Sequence, residues 1–433
     1  MSFLLKKLPD MNFGELQFYP SNEGCELALF NNVSEDAFLQ YCERLSGVFR
    51  LVNENVIENN AFKFYVGSDF IVCIGYYPCN NTLRIVVDTN RNLPDFKKKY
   101  VVGSEKTTVW QFEVDHSLID CGMCYIIRTC TGKFFIIDSP HTYSINDCER
   151  IHNFLRERTP AGEKIHIAGW FFSHGHDDHI TQFISFLGFY MGDVIIDCVY
   201  HNIISPDHRD GGDWMDTHRG YLKLFNNALA LHPEIPIVRL HTGQTFYVDN
   251  LKFDVLCSHE DVFPNDNSNY NDSSVVLMLS AEGNKVLFPG DAGHEESYIL
   301  EARYPGYLSA DIVQQAHHGH FGTTDNFYRL VGARVALFPV TQIKFDEELD
   351  HWSANRVSLD IADEYYIASN GTVEINLPYK KGEITVYPDE TFESFKGVYD
   401  LWSYEYTPEY KKKLYDEYLA RGGKPLDEYK DGF

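Results

Sequence analysis

Between Trp170 and Ile180 the chain reads WFFSHGHDDHI, and its six central residues, 174 to 179, hold three histidines and two aspartates. Imidazole and carboxylate are the donors that zinc and harder divalent metals take from proteins. Upstream, IHIAGWFF has the continuous apolar character of a buried strand; downstream, ITQFISFLGF has helical periodicity. The cluster therefore lies where a strand hands over to a helix. In such a loop His174 and His176 alternate, so both rings can point to one side and hold one divalent metal. Asp178 and His179 follow at the helix start, where they can face a second metal beside the first. A polar loop that is histidine-rich by chance is a poor account of this order.

Further ligands must come from elsewhere in the chain. FPGDAG ends a strand with Asp291 in a glycine-flanked turn, and a carboxylate there can bridge two cations, which removes the cost of burying its charge unpaired. QQAHHGH ends another strand with His317, His318 and His320; one can complete the second metal site and another can donate to a substrate anion. Asp138 closes the strand FFIID. In a two-sheet sandwich the strand ends on one edge converge on one cleft, so these separated segments are expected to form one site.

This set, HxHxDH at His174, His176, Asp178 and His179 with Asp138 before and Asp291 and His317 after, resembles the metallo-β-lactamase superfamily of dinuclear metal hydrolases. The resemblance covers roughly residues 108 to 385. NDSSVVLML, KVLFPGDA and ADIVQQAHHGH resemble the branch containing the hydrolase-like domain of bacterial DNA-uptake channel proteins and phosphorylcholine esterases. It implies an αββα sandwich with the site at one sheet edge. His174 and His176 would bind the first of two divalent metals, Asp178, His179 and His317 the second, and Asp291 would bridge them, with Asp138 orienting the cluster from behind. His317 is preferred over His318 because it ends the strand and leaves Gly319 to turn the loop. One slot departs from the pattern. Where many members carry another metal-binding histidine, before the strand leading to the bridging Asp, this chain reads NYNDSSVV, and the nearest upstream candidate is His259.

The elements that must position these residues follow the same logic. Residues 1–95 read as a small α+β unit, with Ser34 opening a helix through AFLQYCERL before the strands FKFYV, FIVCIGYY and TLRIVVD. A polar linker, NRNLPDFKKKYVVGSEK, leads to the hydrolase-like domain, 108–385. There YIIRT and FFIID form a hairpin, Ser144 caps a helix through INDCERIHNFLRE, VIIDCVY is a strand and YLKLFNNALAL a helix. A second hairpin, SSVVLML and KVLFPG, precedes alternating helices and strands through RVALFPV. Such alternation with hairpins points to a mixed α/β core of two sheets between helical layers. Residues 386–433 read as a helical C-terminal extension. The pair Cys121 and Cys124 opens a strand, and no second CxxC completes a zinc site.

Composition narrows the partners. Lys plus Arg number 37 against 63 Asp plus Glu, a formal net charge of -26, which argues against polymeric nucleic acid. No apolar run reaches the ~20 residues of a membrane span. The N-terminus lacks the features of a secretory signal, and ten scattered cysteines fit reduced thiols, so a cytoplasmic location is expected. The expected activity is that of a dinuclear metallohydrolase using metal-bound hydroxide on a small anionic ester, a phosphoester or phosphodiester first. Asp178, or the bridging Asp291, would orient the nucleophile, while His318 or His320 would stabilise an oxyanion or protonate the leaving group. Zinc is the first expectation, with manganese or iron as alternatives suited to the oxygen ligands. A metal-dependent nuclease, a lactone or thioester hydrolase, and a non-catalytic metal-binding sensor or scaffold are the alternatives.

Overall fold

The computed structural model describes residues 3–12, 14–22, 24–114, 122–141, 147–205, 214–263 and 269–388, with 412 and 416. The expected cap at Ser144, the partner Cys121 and nearly all of the C-terminal extension lie outside the described residues. Cys124 is buried as a free thiol.

Two sheets lie face to face. The nine-stranded sheet runs Ile237–Arg239, Val199–His201, Ile165–Phe172, Phe134–Ile137, Tyr125–Arg128, Thr108–Gln111, Thr372–Asn376 and Thr385–Tyr387, with Val194–Ile196 also paired to Ile165–Phe172. The seven-stranded sheet runs Thr245–Val248, Leu251–Cys257, Val276–Ala281, Asn284–Phe288, Ile312–Gln314, Val335–Phe338 and Glu364–Ile367. Their inner faces share one apolar core, in which Tyr125, Phe135, Ile137 and Phe171 meet Phe253, Leu277, Leu279 and Phe288. Helices Asp147–Glu157, Asp177–Tyr190 and Trp214–Ala230 cover the outside of the larger sheet. Helices His294–Arg303, Asp325–Val331, Gln342–Leu349 and Ser353–Ile361 lie on the outside of the smaller one. This is the αββα sandwich that the resemblance implies. No described helix is long and apolar enough to cross a membrane.

Strand direction explains where a site can form. Ile165–Phe172 runs parallel to Phe134–Ile137, and Asn284–Phe288 parallel to Ile312–Gln314. Within each sheet the two C-terminal ends therefore leave on the same edge, and these are the ends that carry Asp138, the histidine cluster, Asp291 and His317–His320. The stretch VIIDCVY, expected as one strand, is two short ones that pair with successive parts of Ile165–Phe172 and break at Asp197 and Cys198.

The N-terminal unit is larger than one helix against a short sheet. Six antiparallel strands run Glu15–Asn22, Cys25–Asn31, Thr82–Asp88, Ile71–Tyr77, Asn60–Val66 and Arg50–Ile57. Helix Glu35–Ser46, capped by Ser34, covers one face. The other face is not left to solvent. Its Leu27, Phe62, Phe64, Cys73 and Val86 share a core with Leu256, Leu300 and Tyr304 of the sandwich, which is why Ile71–Tyr77 and Thr82–Asp88 are buried along their whole length. Charge is buried in this contact as well. Arg84 donates to Asp261 at 2.8 Å and to the Thr242 carbonyl at 2.8 Å, and Arg303 and Tyr77 reach the same Asp261 oxygen. His241 lies between Glu260, at 2.5 Å, and Asp88, at 3.3 Å.

Candidate metal centre

The loop after Ile165–Phe172 is held tightly. Asp138 donates its backbone N–H to the Phe171 carbonyl at 2.7 Å and accepts at its carbonyl from the Trp170 indole at 2.9 Å. Gly175 separates the first two histidines because a Cβ there would lie 2.7 Å from the Tyr270 hydroxyl and 2.9 Å from Ile203. Helix Asp177–Tyr190 begins at once, with Asp177 and Asp178 in its positive first turn. Gly290 adopts a φ of +61° and packs against Ser173 and Ser274, so the turn presenting Asp291 also requires glycine. The Gln314 amide bridges both backbone groups of Gly290.

Two donor sets converge. One comprises Asp178, His179, Asp291 and His318; the other comprises His174, His176 and Asp291, with one ligand atom from each residue lying within 4.8 Å of the others in its set. His179 Nε2 is 3.2 Å from His318 Nε2 and 3.3 Å from Asp291 Oδ2. His318 Nε2 is 3.0 Å from Asp178 Oδ2 and 3.5 Å from Asp291 Oδ2, and His174 Nε2 is 3.7 Å from Asp291 Oδ2. Donors about 2.1 Å from a tetrahedral ion stand roughly 3.4 Å apart, the spacing seen here.

Hydrogen bonding supplies an independent test of fit. His179 Nδ1 lies 2.8 Å from Asp138 Oδ2, and His318 Nδ1 lies 2.8 Å from the Pro339 carbonyl. Each of those oxygens accepts a hydrogen bond from the Nδ1–H of the ring, which leaves two Nε2 lone pairs facing each other and the Asp291 carboxylate. Asp291 Oδ1 is buried with no hydrogen-bond partner. Acceptors gathered without a donor are what a cation satisfies, and the residues therefore fit a pair of divalent metals. In the metal-free protein the carboxylates meet this need by holding protons on the rings. Against the effect of burial, Asp291 and Asp178 raise His318 well above its ordinary value, and His179, His318 and His174 hold Asp291 well below the carboxylate range. Burial, assisted by His179, pushes His174 down to about 3, so its imidazole is neutral and ready to ligate.

Each expected residue has a definite place. Asp138 is fully buried behind the cluster and also accepts from the Ser173 N–H and hydroxyl, both at 2.7 Å. His317, expected as a ligand, stands outside both donor sets. His318 enters the donor set, whereas His317 Nδ1 lies 2.8 Å from the Phe321 carbonyl and its Nε2 lies 3.0 Å from Asn271 Nδ2. Both residues have positive φ, 49° and 56°, and this left-handed turn carries the chain past His317 and swings His318 inward. His320 stands beside the cluster with Nδ1 3.2 Å from Glu348. His259 lies outside both donor sets: it occupies the short helix His259–Val262, with Nδ1 2.9 Å from the Asn202 carbonyl.

Other site residues carry no local motif. His218, from helix Trp214–Ala230, packs against His176 with ring centroids 4.4 Å apart and the rings tilted by 40°. Asp177, the first aspartate of the DDH run, lies 3.7 Å from His218 and 3.1 Å from His141. A cleft of about 480 Å³ opens over the donors, and Asn271, Phe321, Glu348 and Trp352 line it together with His176, Asp291 and His318. A paired Asp177 was available in the sequence as a second carboxylate beside the ligands; His218 and Trp352 had no such signal.

No protein family's sequence profile matches the chain, and no curated protein matches its sequence. Among solved structures, the chain is similar to CmlA, a diiron β-hydroxylase from Streptomyces venezuelae, at 12% identity and a TM-score of 0.31, over 63% of this chain and 54% of that one. It thus spans about half the length of that enzyme. It is also similar to a putative metal-dependent hydrolase from Parabacteroides distasonis (13% identity, TM-score 0.33, 63% and 99% covered). A third similar structure is yeast PDE1 (10% identity, TM-score 0.36, 61% and 98% covered). Likeness of this degree assigns no activity to the chain.

Proposed function

We propose that the chain is a dinuclear metal-dependent hydrolase of small anionic esters, phosphoesters or phosphodiesters first. The observation that carries this reading is the pair of donor sets sharing Asp291 at the floor of an open cleft whose rim is rich in imidazole. His174 and His176 would hold one cation, Asp178, His179 and His318 the other, and Asp291 both. Bound there, two divalent ions supply Lewis acidity and a nucleophile drawn from water near neutral pH. The donors are nitrogen and oxygen without thiolate, which suits manganese or iron as well as zinc.

The chain's own residues do the remaining work. Asp138 keeps the Nδ1 proton of His179 and so keeps its Nε2 available as a ligand. His320, oriented by Glu348, stands where an N–H can meet a phosphoryl oxygen or protonate the leaving group. Phe321 and Trp352, in edge contact at 4.9 Å, give the cleft an apolar wall for the remainder of a small substrate. The test is metal content per chain by elemental mass spectrometry, followed by a substrate screen of metal-replete protein beside Asp291→Asn. Two equivalents of metal, with phosphoester cleavage lost in the variant, are expected. Cleavage of a lactone or thioester alone would overturn the substrate class, and cleavage by neither protein of any ester would overturn the hydrolase reading.

A further inference from the structure

The two donor sets are unequal. Asp178, His179, His318 and Asp291 supply four side chains to one, whereas His174, His176 and Asp291 supply three to the other. The slot where a further histidine is expected reads NYNDSSVV, and its structure is specific. Tyr270–Ser273 is a turn of 3-10 helix closed by a capping box between Asn269 and Asp272. Asp272 Oδ1 also accepts the backbone N–H groups of Gly293 and Glu296, at 3.0 and 3.2 Å. The turn is thereby clamped to the segment that follows Asp291, and Asn271 is fixed beside the cluster. The Tyr270 ring packs on His176 with centroids 5.0 Å apart.

The orientation of the Asn271 amide follows from its neighbours. The Phe321 carbonyl can only accept, so His317 Nδ1 carries the proton and His317 Nε2 is the ring's lone pair. Asn271 Nδ2, 3.0 Å from that lone pair, must donate to it. Its Oδ1 is therefore turned away from His317, is buried, and meets no donor among the described residues. Such an oxygen costs about 1–3 kcal/mol unless something satisfies it. Asn271 lines the same cleft as His176 and Asp291.

We infer that Asn271 Oδ1 is the fourth protein donor of the site formed by His174, His176 and Asp291, and that His317 is the positioning residue that aims it. This rests on the dinuclear reading above. One arrangement then accounts for both departures from the expected pattern: the missing histidine is replaced by an amide oxygen, and His317 leaves the ligand set in order to hold that amide. A neutral amide oxygen is a weaker donor than the Asp178 carboxylate of the neighbouring set, so this site fills second.

The experiment uses the full chain, stripped of metal with chelator and titrated with Mn²⁺ by calorimetry and electron paramagnetic resonance. Wild type is expected to bind two equivalents, one tight and one weaker. Asn271→Ala should weaken the second equivalent at least tenfold and leave the first unchanged, and His317→Ala should weaken the same equivalent by a smaller factor. Asn271→Asp, which keeps an oxygen donor and adds charge, should tighten it. Two equivalents of wild-type affinity in Asn271→Ala would overturn the inference while leaving the dinuclear reading intact. Fewer than two equivalents in wild type would overturn both. If Asn271→Ala melts below the titration temperature, Asn271→Asp decides, because an unchanged weaker equivalent there overturns the inference.

Discussion

Asp138→Asn separates the orienting role of this residue from its role in the fold. Asp138 has a φ of 56°, a conformation that asparagine tolerates almost as well as aspartate. Its Oδ1 accepts from the Ser173 N–H and its Oδ2 from the Ser173 hydroxyl and His179 Nδ1. In the variant the amide oxygen must stay on the Ser173 N–H, which places the NH₂ against His179. An N–H facing Nδ1 forces the His179 proton onto Nε2, the atom that points at Asp291 and His318. Each buried group keeps a hydrogen-bond partner, so metal-free stability should fall by less than in an alanine variant. Metal affinity at the site of Asp178, His179 and His318 should fall about 10–100-fold, or about 1.4–2.7 kcal/mol. Competition against a chromophoric chelator reads the affinity, and long-range proton–nitrogen NMR of labelled histidine reads the tautomer. Asp138→Ala is the contrast: it strands the Ser173 N–H and should cost about 1–3 kcal/mol of stability as well. Wild-type affinity in Asp138→Asn, or an unchanged His179 tautomer, would refute the reasoning.

Three further outcomes follow from buried charge. Glu296 is fully buried with neither oxygen hydrogen-bonded, and burial together with Asp272 raises its carboxyl well above the usual range. Its folded pKa exceeds the unfolded one, so its stabilising effect is lost as pH rises above ~4.3; Glu296→Gln should raise the neutral-pH unfolding free energy by about 1–3 kcal/mol in urea melts. Arg84→Met removes one partner of a fully buried ion pair and should cost about 3 kcal/mol, the low end for such losses, because Asp261 keeps Arg303. Burial disfavours a charged His241, yet Glu260 and Asp88 raise it to about 9. That stabilisation is complete below the unfolded value of ~6.5 and is lost as pH rises through 9. Chemical denaturation from pH 6.5 to 9.5 should show a decline that His241→Gln flattens.

The site was legible wherever its geometry is local. HxHxDH lies on a strand end and the first turn of a helix, and the strand ends that carry Asp138 and Asp291 follow from apolar runs closed by turns. His318 rather than His317 enters the donor set because two successive left-handed residues turn the chain there, before Gly319. His218 comes from a helix about forty residues beyond the cluster, and its approach to His176 is set by helix packing that no spacing reveals. In the N-terminal sheet, Ile71–Tyr77 declared itself by continuous hydrophobicity, and Thr82–Asp88 by its β-branched and apolar residues Leu83, Ile85, Val86 and Val87. In the edge strand Arg50–Ile57 only Ile57 is buried, and the apolar Leu51 and Val56 are exposed, so its sequence had no burial pattern to read. The helices Gln342–Leu349 and Ser353–Ile361 bury little and gave a similarly faint signal.

The core shared by the N-terminal sheet and the sandwich also governs how this chain can be cut or recombined. An autonomous module can be exchanged because its surface is complete before it meets its neighbour. Here neither side is complete: without residues 24 to 88, Leu256, Leu300 and Tyr304 would face water, and Asp261 would lose Arg84 and Tyr77. The sheet and the sandwich should therefore melt in a single cooperative transition, and a proteolytic nick in the linker should leave the two pieces associated. Variation in this protein is constrained to change the two halves of that boundary together.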